Sequence, residues 1–170
     1  PYSSFVVVAS PDAEHRPTIH EGPETLWMRS RALTVAVQKR PLRLRFIEAS
    51  GEELLAEVDS GFVARDSARS LRFSLRPDTR LYGSGERAPF GLRGDTLRME
   101  NTARYGYTDP DGPMKVNVPF LATTGGYGLL IDNTYPSRFV LGAADSTRMS
   151  YTTPGGELSY YVFAAPNIPT

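Results

Sequence analysis

Cysteine is absent from this chain of 170 residues, and other residues that commonly build reactive centres are scarce. Without cysteine there is neither a disulfide framework nor a thiolate metal site. The two histidines, His15 and His20, are separated by Pro17, and no spacing of carboxylates near them suggests a metal site. The sequence therefore predicts no bound metal and no cofactor.

An excess of charge of either sign is also missing, because 19 Lys and Arg residues balance 19 Asp and Glu residues. Nucleic acids and anionic membrane surfaces both attract basic proteins, so neither is an expected partner. No apolar run reaches the roughly eighteen residues of a membrane-spanning helix, and no span is expected.

No signal-peptide pattern is visible, and the chain begins at Pro1 without an initiator methionine. Both ends are expected to be boundaries chosen within a longer sequence. The compartment stays open between cytoplasmic and periplasmic or secreted.

A helical period is lacking, and alternation with a period of two takes its place. Residues 33–38, 42–46 and 71–76 place apolar side chains on one face and polar or small ones on the other, which is typical of strands with one buried face. Gly125-Gly126 lies between two further strand patterns, residues 117–124 and 127–133, and predicts a two-residue hairpin.

About a dozen such strands, separated by 14 prolines and 15 glycines, predict an antiparallel β-sandwich, because a sheet with one apolar face must bury it against a second sheet. The predicted fold class is all-β with little helix. One domain is expected over residues 1–165.

Four motifs between Leu81 and Leu141 carry a family resemblance. They are Leu81-Tyr82-Gly83-Ser84-Gly85-Glu86-Arg87, Glu100-Asn101-Thr102-Ala103-Arg104-Tyr105-Gly106-Tyr107, Val118-Pro119-Phe120 and Gly128-Leu129-Leu130-Ile131-Asp132-Asn133-Thr134-Tyr135. Their order and spacing resemble the N-terminal domain of family thirty-one glycoside hydrolases, which include α-glucosidases and α-xylosidases. The resemblance implies a galactose-mutarotase-like sandwich that packs on a C-terminal (β/α)8 barrel. Residues 166–170 would begin the linker to that barrel, which this chain does not contain.

The resemblance also implies a sugar-binding loop. In the family, a long loop reaches over the mouth of the active site and lines the sugar subsites. The residues that match the family pattern here are Asn101, Thr102, Tyr105 and Tyr107. Arg104 lies on the same polar loop, and all five are expected to bind substrate in the intact parent. Aromatic rings can stack on the apolar faces of a sugar, while the polar side chains bind its hydroxyls.

Two residues depart from the family pattern of this loop. Glu100 replaces the usual aromatic residue, and Ala103 stands where the family often has an aspartate that hydrogen-bonds the substrate. The loss of that carboxylate leaves α-glucosidase, α-xylosidase, another α-glycosidase or a transglycosylase open as the parent's activity.

The remaining motif residues are given structural roles. Glu86 and Arg87 are expected to pair with groups of the chain and fix the loop. Phe120, Tyr127 and Tyr135 lie on strand patterns and are expected to pack in the core or on a sheet face.

Catalytic residues are not expected in this chain. Hydrolysis of a glycosidic bond requires two carboxylates that flank it, whereas the acidic residues here fall in turns or alternate along strands. The chain alone is therefore expected to be non-catalytic. Together with this, the resemblance implies the favoured function, a non-catalytic domain of a retaining α-glycosidase that acts on oligo- or disaccharides. A free-standing carbohydrate-binding or interaction module is the alternative. A mutarotase-type enzyme is a third possibility, and it would need a His and a Glu that converge, with only His15 and His20 available.

Overall fold

The computed structural model describes residues 16–86, 91–101 and 116–165, together with Ser4, Val6 and Val7. Within these residues there are thirteen β-strands and no helix, and hence no helix able to cross a membrane. The predicted all-β fold with little helix is confirmed. In chain order the strands are β1 (Thr18–Glu21), β2 (Thr25–Arg29), β3 (Leu33–Lys39), β4 (Leu42–Glu48), β5 (Glu53–Arg65), β6 (Ala68–Ser74), β7 (Leu81–Gly83), β8 (Thr96–Met99), β9 (Phe120–Thr123), β10 (Tyr127–Asp132), β11 (Ser137–Leu141), β12 (Arg148–Thr153) and β13 (Ser159–Ala164).

The strands form two antiparallel sheets. The large sheet has nine strands in the order β1-β2-β3-β4-β5-β6-β12-β11-β8, and the small sheet has four in the order β13-β10-β9-β7. The alternating segments of the sequence become β3, β4 and β6. Their regular registers keep each apolar set on one face, as alternation requires.

The core lies between the two sheets. Leu71 and Phe73 on β6 and Tyr151 on β12 are fully buried, as are Leu129 and Ile131 on β10 of the small sheet. All belong to one continuous apolar cluster. Burial of this kind, at about 25 cal/mol per Å² of apolar surface, is the main force that holds the two sheets together.

A buried carboxylate also joins the sheets. Glu57 on β5 accepts a hydrogen bond of 2.8 Å from the Tyr160 hydroxyl on β13 and one of 2.9 Å from the Leu44 backbone N–H. The register of β5 against β6 shifts between Glu57 and Phe62. Gly61 lies in this irregular stretch with a φ of 55°, and a Cβ there would come within 2.5 Å of Glu57 Oε2. The backbone therefore bends closely around the carboxylate.

The hairpin at Gly125-Gly126 exists, but the predicted loop length is wrong. β9 and β10 pair through Leu121 and Leu129, so residues 124–126 form a three-residue turn. Only Gly126 has a positive φ, of 80°. The Thr123 hydroxyl donates to the Tyr127 carbonyl at 2.8 Å and closes the base of this turn.

Candidate functional site

Asn117 joins the two ends of a long connection between β8 and β9. Its backbone N–H donates to Asn101 Oδ1 at 2.6 Å, and its side-chain Nδ2 donates to the Glu100 carbonyl at 2.8 Å and to Asn101 Oδ1 at 3.2 Å. Asn117 is buried and Asn101 is exposed, so these bonds are partly shielded from water, and leaving the buried amide without its partners is costly. Asn101 and Asn117, which lie near the two ends of residues 102–115 in the sequence, are therefore side by side in the described fold.

The Gly83-Ser84-Gly85 segment also contacts this loop base, through the residues that follow the 102–115 stretch. The Ser84 N–H donates to the Phe120 carbonyl at 2.8 Å. Gly83, Ser84 and Gly85 have φ values of 102°, 62° and 90°. A Cβ on Gly85 would lie 2.3 Å from the Val116 carbonyl oxygen, so only glycine fits this close approach.

Glu86 acts through its backbone. Its N–H donates to the Val116 carbonyl at 3.0 Å, whereas its side chain is exposed and forms no ion pair within the described part of the chain. The expected pairing of the Glu86 side chain is therefore not observed among the described residues, and its backbone N–H makes the contact with Val116 instead. Arg87 lies outside the described residues.

A groove of about 470 Å³ opens at this loop base. Asn101 and Asn117 line one part of it, and Asn133, Tyr135 and Ser137 line another. The groove thus combines amide groups, a hydroxyl and one large aromatic ring. This mixture suits a ligand with both hydroxyl groups and apolar faces.

The Tyr135 ring is held in place by two glycines. A Cβ on Gly155 or Gly156 would come within 3.0 Å or 2.8 Å of the ring, so the aromatic side chain rests on bare backbone. Asn133 Oδ1 accepts the Tyr135 N–H at 2.9 Å, while Asn133 Nδ2 donates to the Glu157 carbonyl at 2.7 Å. The side chain of Tyr135 nevertheless remains 50% exposed.

Phe120, Tyr127 and Tyr135, which were expected to pack in the core or on a sheet face, lie in different surroundings in the structure. Tyr127 is buried in the core, and Phe120 lies on a face of the small sheet. The prediction is wrong for Tyr135, which lies in the turn between β10 and β11, half exposed, with its ring against Gly155 and Gly156. The sequence feature that could have indicated this position is the Gly155-Gly156 pair, which leaves room for an aromatic ring.

The groove offers no pair of catalytic carboxylates. Glu100 is the one acidic residue that lines it, and its carboxylate pairs with Arg98 at 3.1 Å. The buried carboxylate of Glu57 has both oxygens in hydrogen bonds within the core. No group of three or more His, Asp or Glu residues able to hold a metal is present in the parts of the chain that the structure describes. His20 is exposed on β1, and His15 lies outside these parts.

Asn101 is the one predicted site residue that the structure describes, and it lies at the groove. Thr102, Arg104, Tyr105 and Tyr107 lie outside the described residues, as do residues 166–170. Their roles stay predictions.

Comparison with known proteins gives consistent matches. Residues 1–139 match the model of the glycosyl hydrolase 31 N-terminal galactose mutarotase-like domain. Alpha-glucosidase 2 of Bacillus thermoamyloliquefaciens is 31% identical over 96% of this chain and 21% of its own length. Alpha-xylosidase XylQ of Lactiplantibacillus pentosus is 31% identical over 56% of this chain and 12% of its own. The chain thus spans about a fifth or less of these relatives.

Solved structures share the fold. A dextranase of Flavobacterium johnsoniae in complex with isomaltotriose superposes with a TM-score of 0.88 at 26% identity, over 96% of this chain and 21% of the dextranase. A cycloalternan-forming enzyme of Listeria monocytogenes superposes with a TM-score of 0.78 at 20% identity, over 87% of this chain and 15% of that enzyme. The sandwich is therefore of the galactose-mutarotase-like type.

Proposed function

The chain belongs to the family of glycosyl hydrolase 31 N-terminal galactose mutarotase-like domains, and we propose that its parent is a retaining α-glycosidase. The chain is the non-catalytic N-terminal domain of such an enzyme. Relatives named as an alpha-glucosidase and an alpha-xylosidase support a parent that acts on α-linked glucose or xylose units in oligo- or disaccharides. The 170-residue chain alone is expected to leave aryl α-glycosides intact.

The proposed partner is a C-terminal catalytic (β/α)8 barrel in the same polypeptide. The small share of each relative that this chain spans supports a large additional region. In this proposal residues 1–165 form the sandwich, and residues 166–170 begin the linker.

The proposed contribution of this domain to catalysis is its long loop. Asn101, Thr102, Arg104, Tyr105 and Tyr107 would bind the substrate beside the barrel. The observation that carries this proposal is the set of hydrogen bonds from Asn117, which brings both ends of residues 102–115 to a groove with an exposed aromatic ring. A loop fixed at both ends can position its side chains precisely, which accelerates reactions that depend on substrate orientation.

The Asn117→Ala substitution in the full-length enzyme tests this role. It removes two side-chain hydrogen bonds at the loop base, which costs about 1–3 kcal/mol of local stability. We expect kcat/KM for an aryl α-glycoside to fall by about tenfold or more, because the sugar-binding side chains lose their fixed position.

Thr147→Ala is the matched control. It removes the hydrogen bond from the Thr147 hydroxyl to Asp145 in the turn between β11 and β12, at the opposite end of β11 from the groove, and leaves the bond from the Thr147 backbone N–H in place. The control should retain normal kcat/KM. Equal kcat/KM in both variants, each with a normal melting profile, would show that the loop base does not contribute to the activity of the enzyme.

A further inference from the structure

The small sheet carries almost no charge. Asp132 is the one charged residue in its four strands, and its side chain is buried. Alternate residues on these strands face away from the core. Most of them are apolar or aromatic, and the two exceptions, Asp132 and Ser159, pair with each other at one end of the sheet. We name this surface the small-sheet outer face, formed by Tyr82, Phe120, Ala122, Leu130, Tyr161 and Phe163.

These side chains form one continuous apolar layer. Leu130 on β10 pairs with Phe120 on one side and Tyr161 on the other, so three apolar side chains lie in a row across the sheet. The rings of Phe120 and Phe163 meet edge to face, with centroids 6.4 Å apart. The Phe120 ring lies over Gly128, where a Cβ would be 3.2 Å from its Cε2. Phe163 is nevertheless 47% exposed.

The large sheet is different at the equivalent positions. The outward residues of β6 and β12 include Ser70, Arg72, Ser150 and Thr152, and Arg138 follows on β11. Such polar alternation is typical of a sheet face in contact with water, whereas strands that are apolar on both faces are typical of a sheet between two layers. Among the residues that the structure describes, the small sheet has one of those layers, the core.

We propose that the small-sheet outer face is the surface on which the C-terminal catalytic domain of the parent enzyme packs. This inference rests on the proposed function and adds the location of the interface. Asp132 is the one charged residue of the described strands and its side chain is buried, so the exposed part of this face presents no charge and suits an apolar facing surface. Interfaces between permanently associated partners have this character.

The path of the backbone agrees with this location. The Ala165 N–H, directly after β13, donates to the Gly126 carbonyl at 2.8 Å. β13 is an edge strand of the small sheet. Ala165, the last described residue, therefore lies at the edge of the small sheet that carries the small-sheet outer face.

Thiol labelling of the full-length enzyme tests the interface, and the lack of cysteine in this domain makes the labelled position unambiguous. We would introduce Ala122→Cys and Phe163→Cys on the small-sheet outer face and Thr152→Cys on the large sheet as the control. Maleimide labelling of each peptide is then followed by mass spectrometry. Labelling at the two small-sheet positions should be slower by about tenfold or more than at the control, because it requires local opening of the interface.

Each outcome is decisive for the interface. Slow labelling at Ala122→Cys and Phe163→Cys in a monomeric enzyme supports it. Labelling as fast as that of Thr152→Cys overturns it, as does protection that disappears on dilution, which would show that a second copy covers the face. Labelling requires no catalysis, so its result is independent of the kinetic test on Asn117, and either proposal can fail without the other.

Discussion

The outer faces of the two sheets differ in chemistry although both belong to one sandwich. On the large sheet, Arg72 and Ser150 lie opposite each other on neighbouring strands and face the solvent. On the small sheet, Phe120 and Tyr161 occupy the corresponding outward positions beside Leu130. A sheet needs only one apolar face to form a sandwich. No layer of the described residues covers the second apolar face of the small sheet, and we propose that it packs against the rest of the parent enzyme.

A carboxylate placed on each outer face should give the largest difference in the free energy of unfolding between the two sheets. Leu130→Asp inserts a charge at a position that is only 9% exposed, which should cost about 3 kcal/mol or more. Thr152→Asp places the same group on the exposed face of the large sheet, where about 0.5 kcal/mol or less is expected. Urea unfolding of both variants measures the difference, and equal losses would show that the two faces are not distinct.

Loss of the hydrogen bond between Tyr160 and Glu57, which joins the two sheets, should have an intermediate effect on the free energy of unfolding. Tyr160→Phe removes the hydroxyl that donates to Glu57 across the core, and we expect a loss of about 1–3 kcal/mol in the free energy of unfolding. Tyr82→Phe, on the small-sheet outer face, is the control and should change stability by less. A smaller loss for Tyr160→Phe than for Tyr82→Phe would contradict a structural role for this bond.

The same hydroxyl predicts a dependence on alkaline pH. Burial, together with the charge and hydrogen bond of Glu57, raises the pKa of Tyr160 well above its usual value. Below pH of about 10 the hydroxyl is protonated in both the folded and unfolded states. At higher pH only the unfolded state releases the proton, so stability falls as pH rises. The Tyr160→Phe variant should show a shallower fall, which denaturant titrations at several alkaline pH values can measure.

A substitution in the turn between β11 and β12 should have the smallest effect of these, a change in the pKa of Asp145. Hydrogen bonds from the Thr147 hydroxyl and backbone, followed by the charge of Arg148, lower the pKa of the Asp145 carboxyl. A lowered pKa adds stability above the usual carboxyl range, and this stability is lost as pH falls through the folded-state pKa. Thr147→Ala should therefore raise the pKa of Asp145 toward its usual value in an NMR titration. An unchanged pKa would mean that this hydroxyl does not bind the carboxylate in solution.

Much of the fold could be predicted because its signals are local. Alternation in β3, β4 and β6 depends only on neighbouring residues. The length of the hairpin turn could not be predicted in this way, because the pairing of Leu121 with Leu129 sets the register. The run of apolar residues in β10 differs from simple alternation, and it is the local sign of a sheet covered on both faces.

The site was less predictable because its contacts connect distant residues. Asn101 was found through a motif, but its bond to Asn117 depends on the return of the chain. Tyr135 was misassigned because Gly155 and Gly156, which receive its ring, follow much later in the sequence. Glu57 gave no signal at all, since its partner Tyr160 lies 103 residues away.

The most direct test of the central claim is to measure kcat/KM for an aryl α-glycoside, together with Tm, on Tyr105→Ala and Tyr107→Ala in the full-length enzyme. If this domain lends its loop to the sugar site, each variant should lose about tenfold or more in kcat/KM through a lost stacking or positioning surface, with Tm unchanged. Normal kcat/KM in well-folded variants would contradict the claim, and so would a lowered Tm that alone accounts for the loss of activity.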